Sequence, residues 1–500
     1  MKTFVAIDLG ASSGRVMTGS IADGKLKSTS EITRFPNGPI CVPGTDKNNL
    51  FWPLLQVWEH ICASLKNLRD TPVESIGVDS WAVDYGLLGA EGGLISPPFS
   101  YRDSRTQGVP ETLYSRYSAT DIYTHNGLQN IDINTIFQLL AAARSADYRP
   151  AVEQAESLLL LPDLVNYWLT EKKYAEITNA SSTGFVNPRT RSWSPEMTGI
   201  YKEISGIDIS AKLPELIEPG TRIGAIRPEI CDLRTQNRET TPVVAVGSHD
   251  TASAVAAVPA SAHTNFAFIS CGTWSLAGLE LDSPILSEES RQANFTNELG
   301  VDGTIRYLKN IMGMWIFNGC VAQWKETDPS LSISQVISLA AAAPSLRTVI
   351  DVNNPIFATP GDMIARIDSL AEASGQPRPR DIGEYARCII DSLALAHAQT
   401  IEQAARLAQV DIDVIHIVGG GSQNKLLCQL TADACGLPVV AGPTEATALG
   451  NLLLQARTAG SISDSLTSLR EVVRASTELT SYTPQNNHSV WQEARRRIFE

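Results

Sequence analysis

The 500-residue chain has no run of about 18 apolar residues, the length a membrane-crossing helix needs. Its opening, MKTFVAIDLG, meets Asp8 too early for a signal peptide. Basic charge is short: 40 Lys and Arg face 54 Asp and Glu, a net −14, which argues against a nucleic-acid partner because a phosphate backbone needs a basic face. The eight cysteines form no CxxC pair. Cys428 and Cys435 read as buried thiols on one helix face rather than metal ligands, and a reducing, cytoplasmic compartment with no membrane association is the expectation. There is no GxxxxGK[ST] loop, no GxGxxG, no low-complexity segment and no short-period repeat. What remains, 43% apolar and 19% charged residues, is an ordinary globular composition, and 500 residues exceed one hydrophobic core, so two large domains are expected.

The stretch IDLGASSGR, Ile7 to Arg15, lies between two apolar runs that read as strands. Gly10 and Gly14 allow angles closed to other residues, and successive bare amides favour anions. Ser12, Ser13 and Arg15 add donors and fixed positive charge, while Asp8 fits a phosphate only through a magnesium ion. The loop reads as a Mg-phosphate cradle or as an ordinary hairpin turn. FAFISCGTWSLAGLEL, Phe266 to Leu281, repeats the design, a hairpin whose bend carries glycine and small hydroxyls, and hints at an internal duplication.

Other segments are also legible. Ser75 to Leu88 reads as strand, turn and strand, and Ala155 to Thr170 as a buried helix broken near Pro162. Arg222 to Thr241 is charged and aperiodic, which puts the domain boundary there, giving domains 1–241 and 242–500. Pro242 to Val246 reads as a strand and Thr251 to Val258 as an Ala-rich helix, with Asp250 at the junction, the usual address for catalytic residues in α/β proteins. Glu384 to Gln409 reads as a long amphipathic helix, followed by a strand and Gly419-Gly420-Gly421, with Ser422 or Asn424 capping the next helix and Gly436 ending it. Two anion loops, a bare glycine platform and one positioned acid together suggest ATP and a nucleophile, since phosphoryl transfer needs mainly positioning, charge neutralisation and one carboxylate.

Seven motifs, DLGASSGRV, GVDSWAVDYGLL, YRDSRT, SHDTASAV, SCGTWSL, LKNIMGMW and HIVGGGSQN, run in order along essentially the whole chain. With them the sequence resembles the FGGY carbohydrate kinases. The resemblance implies a two-domain actin-like α/β fold of the ribonuclease-H or hexokinase type, with an active site in an inter-domain cleft. It implies ATP-dependent phosphorylation of a ketose, L-rhamnulose at its 1-hydroxyl in L-rhamnose catabolism, with L-fuculose or a pentulose as the alternative and a catalytically inactive sugar- or nucleotide-sensing protein as a third reading. Asp250 would be the general base. His249, Asp250, Thr251, Asn310, Ala82 through its backbone, and Asp84 would meet the sugar. Ala11, Ser12, Ser13, Gly14 and Arg15 would hold ATP phosphates, Gly272 and Thr273 would close on them, Gly420 would abut the adenosine, and Asp8 would be linked to Mg2+. Monomer and dimer stay open.

Some positions depart from the family pattern or read two ways. Ala82 stands where glycine is frequent, and Asn318 where a longer glutamine would reach the nucleotide. Thr431 and Cys435 form no cysteine pair. Asp79 and Asp84 divide between sugar contact and turn capping, Trp81 between pocket and core, and Arg102 and Arg105 between ligand contact and pairing with Asp103. The six histidines other than His249 are singletons without metal-ligand spacing.

Overall fold

The computed structural model describes residues 1–44, 47–485 and 488–499. The chain divides into two compact units. One comprises Met1–Ala257, Leu281–Tyr307 and Ala446–Ser476, and the other Val258–Glu280, Leu308–Glu445 and Thr477–Glu500.

The first unit is built on a six-stranded sheet. Its central strand Lys2–Leu9 is fully buried from Phe4 to Leu9, the continuous burial of a strand covered on both faces. It pairs antiparallel with Ser13–Ala22 and parallel with Ser75–Ser80. Strand Pro242–Val244 lies parallel beside Ser75–Ser80 with Val243 opposite Ile76. The outer strand Lys25–Pro36 is mostly exposed and polar, as an edge should be. Helix Ala446–Thr458 packs on the sheet and on helix Asp250–Ala256. Two glycines permit this closeness: a Cβ on Gly77 would meet Asn451 and Val246 at 2.5 and 2.7 Å, and one on Gly450 would meet the Ser253 carbonyl oxygen at 1.9 Å.

The second unit repeats the arrangement. Strand Phe266–Cys271 pairs antiparallel with Ser275–Leu281 and parallel with Val414–Val418, which continues to Val439–Ala441 and Thr480–Tyr482. The 27-residue helix Ile382–Ala408 starts at Asp381, whose side chain accepts from Glu384 N, and packs on helix Lys425–Cys435. Asn424, not Ser422, caps that second helix by accepting from Leu427 N, and Gly436 ends it in the left-handed conformation. In each unit a hairpin is followed by a parallel strand on the flank of its first arm, the pattern a duplication leaves.

Three expectations change. The first unit runs on to Ala257, beyond the boundary drawn at 241, because Arg222–Ala225 pairs with Pro242–Val244 and the latter joins the central sheet. A charged, aperiodic stretch here is a sheet edge, so Asp250 falls in the first unit. Ser157–Leu160 is a strand paired with Tyr85–Leu88, and the helix begins at Leu161, with Pro162 in its first turn where a missing N–H costs nothing. Gly10 and Gly14 adopt no left-handed angle. They are glycine for space: a Cβ would lie 3.0 Å from the Ser13 carbonyl oxygen and 2.3 Å from the Phe35 ring.

Candidate active site

Sheet topology assembles the first unit's acids. Asp8 and Asp79 are register partners near the C-terminal ends of adjacent parallel strands. Ser80, next in its strand, bridges in parallel to His249 and donates its backbone N–H to the Ser248 carbonyl at 2.9 Å. Asp8, Asp79 and Asp250 therefore gather where three neighbouring strands end, the edge at which open α/β sheets bind ligands. Arg15 answers Asp8, its Nε and Nη2 donating to Oδ2 at 2.8 and 2.6 Å. Asp79 is fully buried. Burial first and the Asp8 charge second raise its carboxyl well above the usual range, although Asn451 Nδ2 donates to Oδ2 at 2.6 Å. Its Oδ1 is buried without a hydrogen bond.

Asp250 opens its helix with a side chain 32% accessible. Surrounding protein and the Asp8 charge raise its carboxyl above the usual range against the pull of His249. Its Oδ1 accepts from Thr251 N at 2.6 Å and from Thr251 Oγ1 at 3.2 Å. The turn before it is tied to Glu176, whose Oε2 accepts from Ser248 N at 2.9 Å and from Ser248 Oγ at 2.6 Å.

Beside this lies the SWAVDY turn. Val83, β-branched, holds φ +68°, a strained angle stabilised by Thr135 Oγ1 and Gln138 Nε2 donating to its carbonyl at 2.6 and 3.3 Å. The strain presents half-buried Ala82. Asp84 is wholly buried. Trp52 Nε1, Trp81 Nε1 and Tyr101 N donate to its Oδ2 at 2.5, 2.9 and 3.2 Å, and Gln138 Nε2 donates to Oδ1 at 2.8 Å. Burial pushes its carboxyl up to about 6.

In the second unit the Gly272–Trp274 bend closes on itself, Gly272 N donating to the Trp274 carbonyl at 2.7 Å. It lies against Gly313, at φ +49°, where a Cβ would meet Ser275 N at 2.6 Å. The triglycine follows the neighbouring parallel strand. A Cβ on Gly419 would reach the Cys271 carbonyl at 3.0 Å and one on Gly421 the Cys271 Sγ at 2.1 Å, whereas Gly420 has nothing within 4 Å. Two of the three glycines thus serve packing, and Gly420 alone faces open space.

Comparison with known proteins matches both halves. Residues 3–257 fit the model of the N-terminal domain of the FGGY family of carbohydrate kinases, and residues 267–459 that of its C-terminal domain. The chain belongs to the FGGY family of carbohydrate kinases. A rhamnulokinase from Bacteroides thetaiotaomicron is 41% identical over 99% of this chain and 98% of its own. One from Enterococcus faecalis is 37% identical over 93% and 90%. Among solved structures, a gluconate kinase from Lactobacillus acidophilus superposes with TM-score 0.77 at 18% identity, covering 99% of this chain and 96% of that one, which speaks for the fold.

For an FGGY carbohydrate kinase, with ATP as donor and a sugar as acceptor, the structure sorts the expected residues. Asp8, Ala11, Ser12, Ser13, Gly14, Arg15, Ala82, His249, Asp250 and Thr251 belong to the first unit, around the strand ends and the hairpin bend. Gly272, Thr273, Asn310, Asn318 and Gly420 belong to the second. Asn310 is half-buried near the end of strand Ile305–Ile311, and Asn318 is exposed on helix Trp315–Thr327. Thr251 is buried and its hydroxyl goes to Asp250. Asp84 shows no oxygen to solvent and holds the indoles of Trp52 and Trp81, whose rings lie 4.2 Å apart. Arg105 does not send its guanidinium to Asp103: Nη2 donates to Gln138 Oε1 at 2.9 Å, and the group stacks on Phe99. Sequence reasoning missed Glu176, Glu298 and Arg306, which surround the Ser248–His249 turn. The available signal was a single arginine inside the apolar run Ile305–Leu308.

Proposed function

We propose that this carbohydrate kinase transfers the γ-phosphoryl group of ATP to the 1-hydroxyl of L-rhamnulose, giving L-rhamnulose 1-phosphate and ADP in the breakdown of L-rhamnose. The near full-length likeness to proteins named rhamnulokinase supports the substrate. The observation that carries the chemistry is exposure. Of the three acids at the strand ends, Asp79 is wholly buried and the Asp8 side chain is 8% accessible, while the Asp250 side chain is 32% accessible. Asp250 takes the hydroxyl proton as the oxygen forms its bond to the γ-phosphorus and the bond to the leaving ADP oxygen breaks. Ala82 and His249 line the ketose, Thr251 steadies the base, Asp84 acts through the indoles it holds, and Asn310 reaches the sugar. Ala11 to Arg15, with Gly272 and Thr273, bind phosphates, Gly420 faces the adenosine, and Asn318 lies near the nucleotide.

Mg2+ fits the donor set. Three carboxylates stand near one guanidinium, and one buried Asp79 oxygen lacks a hydrogen bond. No cage of three or more metal ligands forms among the described residues, as suits an ion that keeps waters and arrives on nucleotide phosphates. Asp8 would hold it, and bound there it would neutralise phosphate charge. A cytoplasmic enzyme fits these substrates.

ADP release measured over a panel of ketoses, with the phosphorylated carbon located by NMR, tests the assignment. The expectation is the highest kcat/KM for L-rhamnulose and phosphate on carbon 1, and preference for L-fuculose or a pentulose overturns it. Asp250→Asn should lose about 10²–10⁴ in kcat with ATP affinity little changed, and a folded variant keeping more than about a tenth of its turnover would falsify the base assignment.

A further inference from the structure

Arg306 is the largest charged side chain buried completely in the described protein, at 0% exposure. Its guanidinium is fixed on several sides. Nε and Nη2 donate to the Leu299 carbonyl at 3.2 and 3.1 Å, and Nη2 donates to the Thr178 carbonyl at 3.0 Å. Nη1 lies 3.0 Å from His249 Nδ1 and 3.0 Å from Glu298 Oε2. Glu298 is itself 4% exposed, and its Oε2 stands 3.1 Å from the same ring nitrogen. Against burial, Arg306 and His249 hold the Glu298 carboxyl below the usual range. The other ring nitrogen, Nε2, faces Asp250 Oδ1 at 3.5 Å. All these residues belong to the first unit.

Burying a guanidinium and a carboxylate carries a desolvation cost that their attraction often only balances, so stability alone is a weak reason for the pair. Donor chemistry offers a better one. A guanidinium can only donate and a carboxylate can only accept, so Arg306 Nη1 and Glu298 Oε2 pair with each other and together fix the Nδ1 edge of the ring that lies within reach of both. Nε2 is then left facing the Asp250 carboxylate. The Thr178 carbonyl and the Leu299 carbonyl keep the guanidinium plane from rotating, and Glu298 keeps its charge compensated.

We propose that Arg306, anchored by Glu298, is a positioning residue for phosphoryl transfer. It sets the orientation of His249, and through His249 the pose of the carboxylate that takes the sugar proton. The proposal rests on Asp250 as the base. Neither Arg306 nor Glu298 touches the reactants, so both act on turnover through the ring between them.

A kinetic double-mutant cycle on the full-length protein tests it. Glu298→Gln is isosteric, Arg306→Met removes the donors, and kcat is taken per folded molecule from circular dichroism. Each should lower kcat by about 10–10²-fold, the scale expected when a reacting group is misplaced by about 1 Å, with the KM for ATP changed less than about twofold. In a His249→Ala background, Glu298→Gln should cost little more, because residues acting as a unit are not additive. Arg306→Lys keeps a cation beside Glu298 and should recover part of the turnover lost in Arg306→Met. A Glu298→Gln protein with parental kcat, or losses that multiply in the double variant, overturns the proposal. A purely structural role would instead lower the melting temperature and leave kcat per folded molecule unchanged. Asp250→Asn run alongside separates the two readings: full activity there removes the base assignment itself, whereas an inactive Asp250→Asn with a normal Glu298→Gln removes only the positioning role.

Discussion

Gly450→Ala puts the link between helix packing and chemistry to a quantitative test. Gly450 lies inside helix Ala446–Thr458, where it meets helix Asp250–Ala256. The new methyl would lie 1.9 Å from the Ser253 carbonyl oxygen, 2.6 Å from its carbon and 3.1 Å from its Cα. All three are backbone atoms, so no side chain can swing aside. Ordinary contact begins near 3.4 Å, so the two helices must part by about 1.5 Å. Overpacking of this kind costs about 1–3 kcal/mol, and the better helix propensity of alanine returns about 1 kcal/mol, leaving a net loss of about 0–2 kcal/mol. The protein should therefore fold. Ser253 is one turn from Asp250, and its hydroxyl donates to the Gly247 carbonyl at 2.7 Å, so the displacement passes to the Gly247–His249 turn and the base together. A shift of about 1 Å at a reacting group costs about 10²-fold, and that is the expected fall in kcat. ADP affinity should change little, because Gly420 and Thr273 belong to the other unit. The assay is steady-state ADP release normalised to the folded fraction from circular dichroism, with ADP binding measured by calorimetry. A folded Gly450→Ala protein turning over within about threefold of the parent would refute the reasoning, since the contact would then not set the position of Asp250.

Gly420→Val should weaken ATP binding strongly and ketose binding hardly at all, with the melting temperature unchanged, because a Cβ there meets no protein atom within 4 Å. Equal loss of both ligands would make the position structural. Asp84 titrates near 6 when folded, against 3.8 in the open chain, so its contribution to stability is full below 3.8 and is lost as pH rises through 6. Lowering the pH from 7 to 5 should strengthen folding through this group by about 1.4 kcal/mol, and urea titrations of Asp84→Asn should show that much less gain over the same interval. An identical pH dependence in both proteins would contradict the assignment.

The elements and motifs lay close to the surface of the sequence because they depend on neighbours in the chain. Apolar runs of six or so residues ending in glycine and hydroxyl bends marked both hairpins, and Asn424, Gly436 and the long helix Ile382–Ala408 followed from capping and periodicity. Seven motifs in order carried the family. Tertiary structure decided what depends on partners distant in sequence. Strand Pro242–Val244 could be assigned to the first unit only through its pairing with Ser75–Ser80. The glycines looked like conformational devices, yet Gly14 answers to Phe35 and Gly421 to Cys271, because steric exclusion is set by whatever packs opposite. The partners of Asp84 and Thr251 also came only with the fold, which brings the indoles of Trp52 and Trp81 to the one and the Asp250 carboxylate to the other. Arg306 and Glu298, 57 and 49 positions past His249 in the chain, became visible only when the fold placed a buried cation and a buried carboxylate about 3 Å from one imidazole nitrogen. Local sequence dictates backbone shape and the chemistry available, and the company a buried charge keeps is settled by the fold.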